Sequence, residues 1–467
     1  MTAVLEAPAA PRRTTRPLAA VLAAVGIPTF MVALDNLVVS TALPVIRTDL
    51  GASLTDLQWF VNAYTLPFAA FLLTAAALGD RIGRRRMFLA GLVVFTLASA
   101  AAGLASSPWQ LTAARAVQGL GGAAVAPLAL TLLSAAVPER LRTMAIGVWG
   151  GISGLGVAVG PVVGGAVVEG LDWHWIFWLN VPVGVVAVIL ARTVLDESRG
   201  GARRLDPLGL ILSAAGMLLV IWGVVDGPDR GWTSTRVLTM LITGGVLIAA
   251  FVAWQARNPS PMMPLRLFRS RGFGLVNLVT LAFSAGAFGS VFLLAQFFQV
   301  VQGLSPLDAG LRTLPWTAAP MVVAPLAGIF GDRVGQRNLI LAGQLLLAGG
   351  ILWMGLAIGT EVTYASLVAA FAMAGVGMGL TFAPVSTVAM ASVTDQERGV
   401  ASGVNNTIRE LGVAVGVAAL ASIFSSYGSY ATHQSFVDGI KPAVIVGAAI
   451  VGAGAVIAFW LPGRRGA

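Results

Sequence analysis

"GDRIGRRR" occupies Gly79–Arg86, and a shorter echo, "GDRVGQR", returns at Gly331–Arg337. Both interrupt long apolar runs in a chain that is 57% hydrophobic and only 10% charged. The echo lies 252 residues downstream, and two other pairs repeat in the same order at nearly that distance. "GVAVG" recurs at Gly156–Gly160 and Gly412–Gly416, an offset of 256, and Ala126-Pro127 returns as Ala383-Pro384, an offset of 257. One such pair in a Gly/Ala/Val-rich chain is chance. Three in order at a near-constant offset are the mark of an internal duplication.

The rest of the composition says where the duplicated unit lives. The 467 residues include 56 glycines and carry a net charge of +9, with a mean hydropathy of +0.86. So few charges cannot cover a water-soluble surface. Fourteen apolar runs are each long enough to cross a hydrocarbon core of roughly 30 Å as a helix. They lie near 18–43, 56–78, 87–105, 109–133, 143–168, 174–192, 207–226, 236–254, 273–300, 309–330, 338–358, 363–388, 399–425 and 440–461.

Charge placement tests that count. With fourteen spans both termini share one side, and the loops and tails on that side hold 22 of the 29 basic residues, against 5 on the other. The positive-inside rule then puts both termini in the cytoplasm. Thirteen or fifteen spans would scramble this segregation. Most of the arginines in "GDRIGRRR" are therefore topological markers, and nucleic acid is not the partner that the basic balance implies. The absence of cysteine excludes disulfides and thiol chemistry, and only two histidines, His174 and His433, are present. The segment after residue 17 is too long for a cleaved signal peptide and contains Asp35.

The expected fold is an all-α polytopic membrane protein. The division runs: disordered cytoplasmic N-terminus 1–17, six-helix bundle 18–192, linker 193–206, two inserted helices 207–254, linker 255–272, six-helix bundle 273–461 and cytoplasmic tail 462–467. A six-helix unit repeated in the same orientation describes transporters whose halves rock about a central site.

Several stretches carry a specific resemblance. "GDRIGRRRMFLAG" (Gly79–Gly91) resembles the signature loop between helices 2 and 3 of the major facilitator superfamily, and "RAVQG" (Arg115–Gly119) resembles its helix-4 motif. "GISGLGVAVGPVVGG" (Gly151–Gly165) is similar to the helix-5 motif of its proton-driven exporters. "LDNLVVSTALPVI" (Leu34–Ile46) and "WHWIFWLNVPVG" (Trp173–Gly184) are similar to segments of its fourteen-helix drug:proton antiporters. Two departures stand out: Ala76 replaces the Gly that usually opens the loop motif, and Leu37 stands where Thr is common. The resemblance implies multidrug efflux through a bacterial-type cytoplasmic membrane by a monomer. It implies no cofactor, the proton gradient as driving force, and small hydrophobic or cationic substrates as partners. Its rivals are a dedicated exporter of one endogenous metabolite, nutrient uptake, and a membrane enzyme or scaffold. No nucleophile–base pair, histidine cluster or phosphate-binding loop supports the last.

Intramembrane charges nominate the working residues, because a carboxylate within a span is a functional candidate by default. Asp35 lies about 25 Å along span 1, and Arg115 about 9 Å below the opposite face in span 4, which is a similar depth. The two are expected to communicate directly or through water, with protonation of Asp35 altering the link; a static pair joining spans 1 and 4 is the alternative. Glu410, preceded by Arg409, lies about 18 Å into span 13. It is a second proton site, a cation-recognition carboxylate or an Arg-neutralised structural pair.

The other assignments follow from the motifs. Asp80, Arg81, Gly83 and Arg84 form an expected conformational latch, the carboxylate accepting N–H groups from a neighbouring helix terminus. Asp332 and Arg333 form a weaker copy, with Gln336 in the run. Gly151, Gly154, Gly156, Gly160, Gly164 and Gly165, with a bend at Pro161, bare one side of span 5 for close packing. The resemblance implies that this helix meets its repeat counterpart, span 13. Gln58, Trp59, Asn62, Tyr64, Asn277, Gln296 and Gln299 are polar or aromatic groups in apolar helices and the candidates for substrate contact.

Overall fold

A computed structural model describes residues 17–52, 54–200 and 206–463; within its helices the side chains of Leu37, Gln58, Pro161 and Asp332 lie outside the described set. The expectation of disorder over 1–17 falls, apart from Pro17, outside the described residues as well.

The described residues form helices with no strand. In chain order these are α1 (Leu18–Leu50), α2 (Leu54–Ile82), α3 (Arg84–Ala102), α4 (Pro108–Ala136), α5 (Glu139–Gly170), α6 (Trp175–Trp178), α7 (Asn180–Val194), α8 (Pro207–Arg230) and α9 (Thr235–Arg257). A 3₁₀ turn at Leu265–Arg269 leads to α10 (Arg271–Val300), α11 (Pro306–Thr317), α12 (Ala319–Val334), α13 (Gln336–Ala357), α14 (Tyr364–Ala391), α15 (Arg398–Tyr427) and α16 (His433–Phe459). Thirteen segments are long and apolar enough to cross a membrane among the described residues. The 32-residue α5 fills the fourteenth place.

Span 6 is broken between α6 and α7, and span 10 between α11 and α12. The breaks have a local cause. Pro182 has no N–H for the carbonyl of Trp178, and Pro320 has none for Trp316. Helix starts carry their own signals. Asp206 caps α8 by accepting the Gly209 N–H at 2.9 Å, ahead of Pro207 at the first helical position. Ser305 and Thr432 do the same for α11 and α16 at 3.1 Å each.

The duplication is visible in how backbones touch. A Cβ added at Gly121 on α4 would lie 2.6 Å from the Phe95 nitrogen and 2.8 Å from the Gly91 carbonyl of α3. At the duplicated position Gly377, it would lie 2.4 Å from the Leu347 nitrogen and 2.6 Å from the Gly343 carbonyl. Between helices with apolar flanks, such bare crossings supply the van der Waals contact that holds them. The α1–α7 and α10–α16 groups each pack in this way.

The halves meet along two seams. On one, Gly147 of α5 faces the Ala324 carbonyl of α12, a Cβ there lying 2.5 Å from it, and Gly328 faces the Thr143 carbonyl at 2.7 Å. On the other, α2 packs against α15, where a Cβ at Gly403 would lie 2.6 Å from that of Ala76. Ala76 corresponds to Gly328 by the 252-residue offset, and its extra methyl is accepted because Gly403 has no side chain.

Span 5 therefore packs against span 10, with α14 alongside, and span 13 packs against span 2. This corrects the implied meeting of span 5 with span 13. A two-fold relation between repeats brings a helix onto its own counterpart only when it lies on the axis. Off the axis, the 5–10 contact maps onto 13–2, as the glycines show. In the motif itself, Gly151 lies against Met321 of α12 and Gly156 against the Phe30 carbonyl of α1, at 3.1 and 2.8 Å from an added Cβ. Gly160 and Gly164 are buried and Gly165 half-buried.

The inserted hairpin α8–α9 lies outside the seam between α2 and α15, with α8 touching both. Ile221 is buried there against Leu66 and Ala69, and Trp222 meets Trp59 edge-to-face at 5.3 Å.

Because the chain has no cysteine, these pairings can be checked by cross-linking. An added Cβ at Gly154 lies 3.8 Å from the Pro320 Cβ, which is the spacing of a disulfide. Gly154→Cys with Pro320→Cys should oxidise to an intramolecular cross-link, whereas Gly154→Cys with Gly412→Cys, on span 13, should stay reduced. Cross-linking of the second pair would restore the 5–13 contact.

Candidate functional site

Three constellations occupy the space between and beside the seams. The first is a buried network. Asp35 of α1 and Arg115 of α4 form an ion pair at 2.5 Å with both side chains fully buried. The second Asp35 oxygen accepts from Gln118 Nε2 at 2.9 Å and from Asn180 Nδ2 at 2.7 Å. Arg115 also donates to Gln118 Oε1 at 2.7 Å and to the Phe60 carbonyl at 3.1 Å, and its guanidinium sits 4.3 Å above the Tyr64 ring. One carboxylate thus ties together α1, α4 and α7. A buried pair is favoured when its geometry is good and its remaining polar atoms are satisfied; here Asp35 has a donor on each oxygen, while Arg115 Nη2 has no hydrogen-bond partner among the protein's atoms.

The contact between Asp35 and Arg115 is direct. Gln118 and Asn180 were not singled out by sequence. Gln118 follows Arg115 by three residues and shares its helix face, so an amide at that spacing from an intramembrane arginine was a usable signal. Asn180 reaches Asp35 across 145 positions, which no local pattern encodes.

The second constellation is a cavity of about 240 Å³ between the halves. Its walls are largely apolar and aromatic, with Tyr64, Phe68 and Trp149 from the first half and Phe288 and Phe382 from the second. Glu410 and Arg409 of α15 are its only charged lining groups among the described residues. They lie 3.3 Å apart, and the Arg409 guanidinium covers Phe382 at 5.5 Å. Tyr64 belongs to both constellations: its ring takes the Arg115 charge on one side and lines the cavity on the other.

The remaining polar candidates lie elsewhere. Trp59 packs on α8, Asn62 is half-buried and does not line the cavity, Gln296 accepts from Tyr430 Oη at 2.5 Å, and Gln299 is exposed. Asn277 is 2% exposed and bonded to Phe273 and Asn405. Gln58 falls outside the described side chains.

The third constellation closes the arginine-rich face. Arg84 Nε donates to Asp80 at 2.6 Å, and its Nη2 reaches the Asp395 and Gln396 carbonyls of the second half at 3.4 Å each. The Asp80 carboxylate lies against Gly399 at the start of α15, where no Cβ would fit. An anion here complements the positive end of that helix. Arg84 reaches the other half in this arrangement, and Arg81, which is exposed, lines a pocket with Thr394 and Gln396 of that half.

Gly83 holds φ +120, and a Cβ there would lie 2.7 Å from the Glu197 carboxyl carbon. That carboxylate accepts the Arg85 and Arg86 N–H groups at 3.0 and 3.2 Å, while Arg85 binds the Leu195 carbonyl at 3.0 Å. Arg85, read as a topological marker, thus also anchors the segment after α7. At the duplicated Gly335, φ +91, the nearest atom to a Cβ is Asn338 Nδ2 at 4.0 Å. Arg333 is exposed, and the Asp332 side chain is outside the described set.

Breaking the first network by halves should hurt more than removing it. Asp35→Asn leaves Arg115 charged and buried, and the loss should be about 3–5 kcal/mol. Asp35→Asn with Arg115→Gln should recover part of that. Thermal unfolding of the detergent-solubilised protein measures both; a double variant no better than the single would show that the pair acts as two independent groups.

The comparisons with known proteins agree with this architecture. The profile of the Major Facilitator Superfamily matches residues 25–417 and 302–467. The multidrug resistance protein Stp of Mycobacterium tuberculosis is 39% identical over 409 residues, 87% of this chain and 76% of that protein. The tetracenomycin C resistance and export protein of Streptomyces glaucescens is 35% identical over 410 residues, with the same coverage. The multidrug efflux pump LfrA of Mycolicibacterium smegmatis is 33% identical over 458 residues, 97% of this chain and 90% of that one. Among solved structures, a double-tryptophan mutant of XylE superposes with a TM-score of 0.71 at 15% identity, covering 96% of this chain and 97% of that one. Similarity along nearly the whole chain, together with the duplicated six-helix units around a central cavity, places this multi-pass membrane protein in the Major Facilitator Superfamily.

Proposed function

We propose that the chain exports hydrophobic, positively charged compounds across the cytoplasmic membrane in exchange for protons, by alternating access and without bond chemistry. One observation carries this reading: a single carboxylate, Glu410, paired with Arg409 in a largely apolar and aromatic cavity between the two halves. Aromatic faces and one negative charge recognise a lipophilic cation through desolvation, cation–π attraction and Coulomb attraction. A neutralising proton competes for the same carboxylate. The likeness to drug-resistance and efflux proteins supports the direction of transport.

In this reading Asp35 and Arg115 answer to the outer proton. Protonating Asp35 removes the charge that holds Arg115, Gln118 and Asn180 together, and so loosens α1 from α4 and α7. Asp80 and Arg84 latch the arginine-rich face, taken as cytoplasmic from the loop charges, and release when α15 moves. The protein works as a monomer, with both termini in the cytoplasm and no cofactor. A second reading, export of one compound made by the same cell, draws on the resemblance to the tetracenomycin exporter; it uses the same cavity with narrower selectivity.

Everted membrane vesicles from a pump-deficient host test the proposal. Wild type should take up ethidium or tetraphenylphosphonium on energisation and stop on adding an uncoupler. Glu410→Gln should lower uptake of these cations by about tenfold, the loss of one desolvated charge contact worth ~1.4 kcal/mol or more. Uptake that ignores the uncoupler would sink proton exchange. A Glu410→Gln variant with full cation uptake would remove Glu410 from recognition.

A further inference from the structure

Side chains of a helix lean toward its N-terminus, so Glu410 overhangs the turn that holds Asn406 and Thr407, four and three residues back. Both are buried, at 1% and 7% exposure. Asn406 Nδ2 donates to the Ser402 carbonyl at 2.9 Å and the Ser402 hydroxyl at 3.4 Å. This anchors the amide and leaves Oδ1 with no hydrogen-bond partner among the protein's atoms. Thr407 Oγ1 has none either. Thr280 and Thr381, also buried in helices, bond the carbonyl four residues back at 2.8 and 2.9 Å, whereas the hydroxyls of Thr74, Ser284 and Ser290 are unpartnered like that of Thr407.

Buried polar atoms are ordinarily paired, yet two open acceptors sit on the one turn that a glutamate at 410 can reach. The fold does not demand them: by the 256-residue offset, their counterparts in span 5 are Gly150 and Gly151, and the counterpart of Glu410 is Gly154.

An ionised carboxylate only accepts hydrogen bonds, and Glu410 accepts from Arg409 Nε and Nη2 at 3.4 and 3.3 Å. A protonated one carries an O–H donor. We propose that Asn406 and Thr407 are the positioning residues for protonated Glu410. On taking a proton its carboxyl leaves Arg409 and donates to Asn406 Oδ1 or Thr407 Oγ1, and it returns when a cation displaces the proton. The inference rests on Glu410 being the proton-exchanging carboxylate of the cavity. The other charged or titratable groups around it are Arg409 on its own helix and Tyr64 from α2, with the Asp35–Arg115 pair behind that ring. The groups lining the cavity from α1, α4, α5, α10, α12 and α14 are neutral. Ser402, which anchors Asn406, also donates to the Pro127 carbonyl of α4 at 2.8 Å. The turn that receives the proton is therefore bonded to the opposite half.

The test is tetraphenylphosphonium binding to the purified full-length chain in nanodiscs between about pH 5 and 9, a window around ordinary and raised carboxyl values. Wild-type affinity should fall as pH drops, because the proton competes. Removing an acceptor destabilises the protonated form, so Asn406→Leu and Thr407→Val should each move the midpoint down by about half a pH unit to one unit, with affinity at high pH unchanged. Thr407→Val swaps a hydroxyl for a methyl of the same shape and keeps the test open if Asn406→Leu does not fold. Midpoints that stay put, or move up as they would if these groups served the ionised form, overturn the proposal. Glu410→Gln separates the two layers: it should bind weakly and without pH dependence. If it keeps the wild-type pH dependence, the proton site is elsewhere and the underlying reading fails with it.

Discussion

Two apolar helices in a bilayer gain nothing by hiding from lipid, so the halves of this protein are joined by close van der Waals packing and by a few polar contacts. That constraint explains where the glycines are. Gly147 against Ala324, Gly328 against Thr143 and Gly403 against Ala76 bring main chains together at distances that no larger side chain allows. Contacts of this kind are numerous and individually weak. A seam built from them can part and re-form without exposing a large hydrophobic face, as a rocking transporter requires.

Charges do the opposite work. Each buried one is costly alone and so specifies a partner. Asp35 with Arg115, Gln118 and Asn180 locks α1, α4 and α7 within one half. Asp80 with Arg84 reaches from one half to the start of α15 in the other. The first is sealed inside a bundle. The second sits at the arginine-rich end of a seam, where relative movement of the halves would break it. Placement relative to the seams separates a charge pair held within one half from one that bridges the two.

The two halves have diverged where the cavity is. At equivalent positions of spans 5 and 13, the first half carries Gly150, Gly151 and Gly154 and the second carries Asn406, Thr407 and Glu410. In the small copy Gly151 and Gly154 face α12 and Gly150 faces Phe382 of α14; the polar copy carries two buried hydrogen-bonding side chains and a carboxylate that lines the cavity. The two halves share a scaffold and differ in the polar groups they carry on it.

The number of spans, their grouping into repeated six-helix units with two helices inserted, and the segregation of arginine to one face were legible in the linear chain. Each depends on local hydropathy, loop charge or recurrence, and the bilayer acts on every segment alike. The candidates Asp35, Arg115, Glu410 and Asp80 were also legible, because a charge near or within a span stands out against apolar neighbours. Which helix meets which was not. Span 5 was expected on span 13 and lies on span 10, because the relation between repeats is a rotation about an axis that no sequence offset reveals. The partners Gln118 and Asn180, the reach of Arg84 to the Asp395 and Gln396 carbonyls, and the separation of Trp59 and Gln296 from the cavity share that cause. They depend on which way a side chain faces once the helices have packed, and only the tertiary structure decides that.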